Sequence, residues 1–119
     1  MAKRIKKISD LGELEKLIKR SNKKPVFIFK HDDSIQESED AYQEYLDFAE
    51  DTEEDILFSV IFVREDVEAS DAIEELLDVN HEVPQLILVM DEEAVWDDTK
   101  ENITADNLIE VVNEFIIEI

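Results

Sequence analysis

A proline at the mouth of an apolar run constrains this chain more than any other feature. Val83-Pro84 leads into QLILVM at residues 85–90, short and aliphatic enough to be a buried strand. A polar corner at residues 91–93 then turns the chain back through Ala94, Val95 and Trp96. The stretch reads as a β-hairpin entered through an X-Pro bond. Proline has no N–H to donate to a sheet ladder, so Pro84 stands at the strand's first residue or at a bend before it, and only X-Pro bonds are cis at appreciable frequency. What sheet the hairpin joins is decided by the rest of the chain.

Residues 5–8 alternate apolar and basic and read as an edge strand. Asp10 stands three residues before Glu13 as a capping box, and Leu11, Leu14, Leu17 and Ile18 follow at helical spacing up to about Ser21 and Asn22. VFIFKH at residues 26–31, after Pro25, is apolar without alternation, the pattern of a strand covered on both faces. Asp32, Asp33 and Ser34 are expected to cap the next helix and favour its positive end, with Ile35, Ala41, Tyr42, Tyr45, Leu46 and Ala49 facing inward as far as Asp51. ILFSVIFV at residues 56–63 is a second apolar strand. Ser70 is expected to cap a short helix carrying Ile73, Leu76 and Leu77, and Asp78 stands where a glycine would usually end it. After the hairpin, Thr104 caps a last helix whose Leu108, Val111, Val112, Phe115, Ile116 and Ile119 recur at three and four residues. The order βαβαβαββα predicts an α/β fold, a single domain over residues 1–119 whose central mixed sheet carries helices on both faces. That is the thioredoxin-like layout.

Particular segments sharpen this. KPVFIFKH (24–31), the Ala41-Tyr42 pair, HEVPQLILV (81–89), AVW (94–96) and NITADNL (102–108) resemble the monothiol bacilliredoxin group of thioredoxin-like proteins, and the likeness spans nearly the whole chain. The resemblance implies that Val83-Pro84 is a cis bond facing an active site. It also implies a cysteine four positions after the strand-ending histidine, in a Cys-Pro pair at a helix N-terminus where the dipole lowers the thiol pKa. Counted from His31, those two places hold Ile35 and Gln36. Ser38 and Tyr42 keep the pattern downstream, so the register is sound, and a shift of one would offer only the hydroxyl of Ser34. His31, Ser34, Ile35, Gln36 and Pro84 are thus vestiges of an active site.

The chain contains no cysteine at all, which removes thiolate catalysis, disulfides, iron–sulfur clusters and cysteine zinc sites together. Its formal net charge is −21, yet ten of its twelve Lys/Arg lie in residues 1–30. Such an acidic body is a poor partner for nucleic acid, and the basic segment is expected to lie against its own acidic surface. No run approaches the ~20 apolar residues of a membrane span, and the basic start lacks the hydrophobic core of a secretory signal. A soluble cytoplasmic monomer is expected, with no membrane association and no specific partner.

The same residues carry other readings. His31 and His81, beside Asp32, Asp33 and Glu82, form a set competent for a metal or for acid–base work, but both histidines also match the family frame. Ser34 and Ser38 have no elbow motif or paired base. The acid runs lack the spacing of a closed calcium loop and are expected to gather cations only loosely. No catalysis, cofactor or metal is expected. Only one glycine and two prolines occur, and surface positions are filled with Asp and Glu. The chain reads as a redesigned scaffold on a bacilliredoxin-like backbone, the alternatives being a natural cysteine-less binding module or a low-affinity acidic cation binder.

Overall fold

The computed structural model describes residues 5–117. Its strands are β1 (Ile5–Lys7), β2 (Val26–His31), β3 (Leu57–Phe62), β4 (Gln85–Met90) and β5 (Glu93–Thr99). Its helices are α1 (Leu11–Arg20), α2 (Gln36–Asp51), α3 (Val67–Leu77) and α4 (Ala105–Val112), with a 3-10 turn at Lys100–Asn102 and a π turn at Asn113–Ile117. The order is the one the sequence predicts. Ile119, expected to close the last helical stripe, lies outside the described residues.

The five strands form one mixed sheet in the order β1-β3-β2-β4-β5. β2 runs parallel to β3 and antiparallel to β4, so the unbroken VFIFKH run sits at the centre with every residue buried. Side chains alternate across it. Phe27 and Phe29 join Phe58, Val60, Leu86 and Leu88 beneath Tyr45, Phe48, Leu108 and Val112 of α2 and α4. Val26 and Ile28 join Ile61, Ile87 and Val89 beneath Leu14, Leu17, Ile73 and Leu77 of α1 and α3. Trp96 packs edge-on against Phe27 as part of the first layer.

Local signals held unevenly. Asp10 accepts from the Glu13 N–H at 2.8 Å, and Glu13 reaches back to the Ser9 N–H at 2.8 Å, one residue before the usual partner. Thr104 caps α4 by accepting from the Asn107 N–H at 3.1 Å. Ser70, by contrast, does not cap α3: that helix starts at Val67 behind Asp66, and Ser70 is buried inside its first turn. In α2 the inward face includes Phe48, whereas Ile35 is 37% exposed and Leu46 half-buried.

The scarcity of glycine has a visible consequence. Asp78, Asp91, Glu92 and Lys100 all adopt positive φ, while Gly12 sits inside α1. Each such non-glycine residue costs about 1–2 kcal/mol. The hairpin turn is held in place from outside: Ser21, at the end of α1, accepts from Asp91 N–H at its carbonyl and from Glu92 N–H at its hydroxyl.

Tyr45 closes the first layer with a polar knot. Its buried hydroxyl donates to the Ser59 carbonyl at 2.8 Å and accepts from the Ser59 N–H at 2.9 Å. Burial raises its pKa well above the usual phenol value. Tyr45→Phe is expected to cost about 1–3 kcal/mol by stranding both backbone groups, measured by denaturant unfolding. A loss below about 0.5 kcal/mol would mean the strand re-pairs them.

Among the described residues the ion pairs Lys6–Glu13, Lys7–Glu65, Lys24–Asp55 and Arg64–Asp32 join basic to acidic groups. The basic segment therefore does meet the acidic body, but every one of these pairs leaves at least one partner well exposed, where water and salt screen the attraction. Repulsion within a chain of net charge −21 should exceed them. The melting midpoint at pH 7 is expected to rise as NaCl goes from about 0.1 to 1 M and the Debye length falls from about 10 to 3 Å. A falling midpoint would mean that the attractive pairs outweigh the repulsion.

Candidate functional site

The residues that the sequence singles out gather at one end of the sheet. β2 ends at His31, and the chain turns through Asp32, Asp33 and Ser34 into α2. Lys30 pairs with Gln85 across the β2–β4 ladder, so Pro84, one residue before Gln85, lies at the end of β2 where His31 stands. The Val83-Pro84 bond is cis and Pro84 is buried.

The start of α2 departs from expectation. Its N-cap is Ile35, in extended backbone with no side-chain cap, rather than Asp32, Asp33 or Ser34. Asp32 is occupied elsewhere: its Oδ1 accepts from the Ser34 N–H at 2.9 Å and the Ser34 hydroxyl at 2.6 Å, and its Oδ2 accepts from Arg64 Nε at 2.8 Å. The Ser34 hydrogen bond, joined by Arg64, holds the Asp32 pKa down at about 2. Ser34 thereby spends its proton on a carboxylate that stays ionised at neutral pH, which leaves it no base of its own. Gln36 is the first helical residue and donates to Asp40 at 2.8 Å.

His31 is buried and fully engaged. The Glu39 carboxylate only accepts, so His31 Nε2–H donates to it at 2.9 Å, and the ring stacks on Tyr42 at 4.5 Å between centroids. His31 Nδ1 lies 2.7 Å from the Ser38 hydroxyl, which accepts from the Asp32 N–H at 3.0 Å. Ser38 is therefore a strut. His31 faces the α2 layer through its contacts with Phe29 and Tyr42.

His81 is not beside it. Strand alternation sends Lys30 to the opposite face from His31, and His81 Nδ1 lies 2.6 Å from Lys30 Nζ. The sheet separates the two histidines that sequence reasoning placed together. Among the described residues no group of three or more His, Asp or Glu is arranged to hold a metal ion.

Sequence reasoning missed Lys30 and Gln85. Lys30 is fully buried, and burial pushes its pKa down to about 8 against the attraction of Glu74, Asp71 and Glu82. Gln85 donates to the Asn80 carbonyl at 2.9 Å and to Asp97 at 3.2 Å, while its Oε1 is buried without a partner. A lysine inside a run already read as covered on both faces was the available signal.

Comparison with known proteins agrees with this geometry. A solved thioredoxin-fold protein described as a candidate oxidoreductase is 27% identical, with a TM-score of 0.79, covering 89% of this chain and 91% of its own. The thioredoxin of Fasciola hepatica, at 14% identity and TM-score 0.74, covers 92% of this chain and 98% of its own. A designed protein of 16% identity and TM-score 0.74 covers 96% and 99%. No curated protein sequence matches. These likenesses establish the thioredoxin fold. Residues 6–108 match the monothiol bacilliredoxin BrxC family, and the chain, which has no cysteine and carries a cis Val83-Pro84 bond, belongs to that family.

Proposed function

We propose that this chain is a non-catalytic thioredoxin-fold scaffold, a redesigned bacilliredoxin frame in which folding and solubility replace thiol chemistry. The observation that carries the reading is Ile35 at the N-cap of α2, an exposed aliphatic residue where a redox member needs a thiolate. No hydroxyl substitutes for it, because Ser34 and Ser38 are committed to Asp32 and His31. Acids at the left-handed positions 78, 91 and 92, and across the surface, agree with a sequence written for charge instead of for turn preference.

A scaffold selected for folding alone should melt above about 90 °C at moderate salt, the range of idealised sequences. A midpoint of about 45–65 °C, that of ordinary natural domains, would contradict this reading. A natural cysteine-less binding module is favoured by one specific observation. Lys30 is buried in the central strand, and the Gln85 side chain opposite it has an unpartnered oxygen, polar equipment that folding alone does not require. For either reading, calorimetry with Zn²⁺ or Ca²⁺ is expected to give only weak, multisite heats. A saturable one-to-one site at micromolar affinity would reopen metal chemistry.

A further inference from the structure

Lys30 is buried, and its amine meets the loop that leads into β4. Its side chain has no exposed surface, and the loop between α3 and β4 lies over it, with Asn80, His81 and Glu82 all exposed. Among the described residues, no carboxylate lies within ion-pairing distance of the Lys30 ammonium. Its hydrogen-bond partner is His81 Nδ1 at 2.6 Å, on a residue that is itself exposed. On the same rung of the β2–β4 ladder, Gln85 is anchored through its amide nitrogen to Asn80 and Asp97, with Oε1 left free.

We propose that Lys30 is a nucleophilic amine site that condenses with small uncharged aldehydes, with His81 as the proton acceptor and the residue 78–84 loop as its cover. The neutral amine adds through its lone pair to the carbonyl carbon, and one nitrogen proton passes by way of His81 to the alkoxide oxygen to give the carbinolamine. The nitrogen lone pair then expels the hydroxyl, which leaves as water with the second nitrogen proton, again carried by His81, so the product is a neutral C=N bond and no oxidant or reductant is consumed. The unpartnered Gln85 oxygen offers an acceptor for the carbinolamine O–H. Lysines without a paired charge in apolar surroundings are the ones that lose their proton near neutrality. At pH 8 about half of an amine titrating near 8 is neutral, against under about 1% of an ordinary lysine. Asp71, Glu74 and Glu82 act electrostatically on Lys30, so an aldehyde carrying its own carboxylate is disfavoured.

The test is reductive trapping on the folded chain with acetaldehyde and cyanoborohydride at pH 8, read lysine by lysine by peptide mass. Lys30 is expected to label about tenfold faster than the exposed Lys16, Lys19 and Lys23, with a rate inflection near pH 8. Glyoxylate should label Lys30 several-fold more slowly relative to those residues. His81→Phe, which keeps a ring over the amine but no acceptor, should slow Lys30 about fivefold and leave surface lysines unchanged. If Lys30 labels only in urea, or shares the rate and inflection of the surface lysines, the amine is sealed and the proposal is overturned. An unchanged rate in His81→Phe overturns the part given to His81.

Discussion

Lys30→Met is expected to raise the unfolding free energy by about 2 kcal/mol at pH 7, the reverse of the usual result for a fully buried residue. The wild-type chain must bury an ammonium, and its pKa falls from 10.5 to about 8 because burial outweighs Glu74, Asp71 and Glu82. A shift of that size corresponds to about 3 kcal/mol, reduced to about 2 by solvent screening. Methionine matches the length of the lysine stem and has no charge to desolvate, and His81 can turn to water. The pH dependence has a definite sign. The folded pKa lies below the unfolded one, so between about pH 8 and 10.5 the unfolded chain holds more protons and stability rises with pH. The penalty is complete below that window and gone above it. Denaturant unfolding of both proteins at pH 7 and pH 10 should show a gap that narrows at the higher pH. A destabilised methionine variant at pH 7 would mean that the His81 contact compensates the buried charge.

Much of the architecture was legible because the signals were redundant. Central strands β2 and β3 have no polar face, the amphipathic spacing of α1 and α4 is capped by Asp10 and Thr104, and Pro84 marks the start of β4. Where a signal stood alone it misled. Ser70 looked like a cap by residue type, but tertiary packing draws α3 back to Val67 and encloses it. The acids after β2 looked like caps until the fold brought Arg64 to Asp32, a pairing between residues 32 apart in sequence that no local pattern encodes. The absence of thiol chemistry was legible because the sequence holds no cysteine, and a missing atom type needs no coordinates. The polar cluster behind it was not, since placing Lys30 beneath His81 and beside Gln85 requires the face alternation of β2 and the antiparallel register of β4 together.

On the proposed reading the bacilliredoxin site keeps its geometry and lacks its thiol, and the double substitution Ile35→Cys with Gln36→Pro tests this by placing a Cys-Pro pair at the start of α2. Proline suits the first helical position, and a thiol at the N-cap faces the free N–H groups of the helix. Glu37 and Glu39 in the first turn oppose thiolate formation, while Asp32 is drawn towards Arg64. The N-terminal field is taken to exceed these acids by about one pKa unit, which sets the size of the effect. Ile109→Cys, at an exposed place in α4, supplies an ordinary surface thiol on the same acidic body. The decisive measurement is the rate of mixed-disulfide formation with cystamine at pH 7 for the two proteins. The double variant should react about two to three times faster than the Ile109→Cys protein, a roughly eightfold gain in thiolate at pH 7 being offset by its lower nucleophilicity, and be released by added thiol. Equal or slower reaction would contradict this, showing that the frame around Ile35 had lost its capacity to activate a thiol along with the thiol itself.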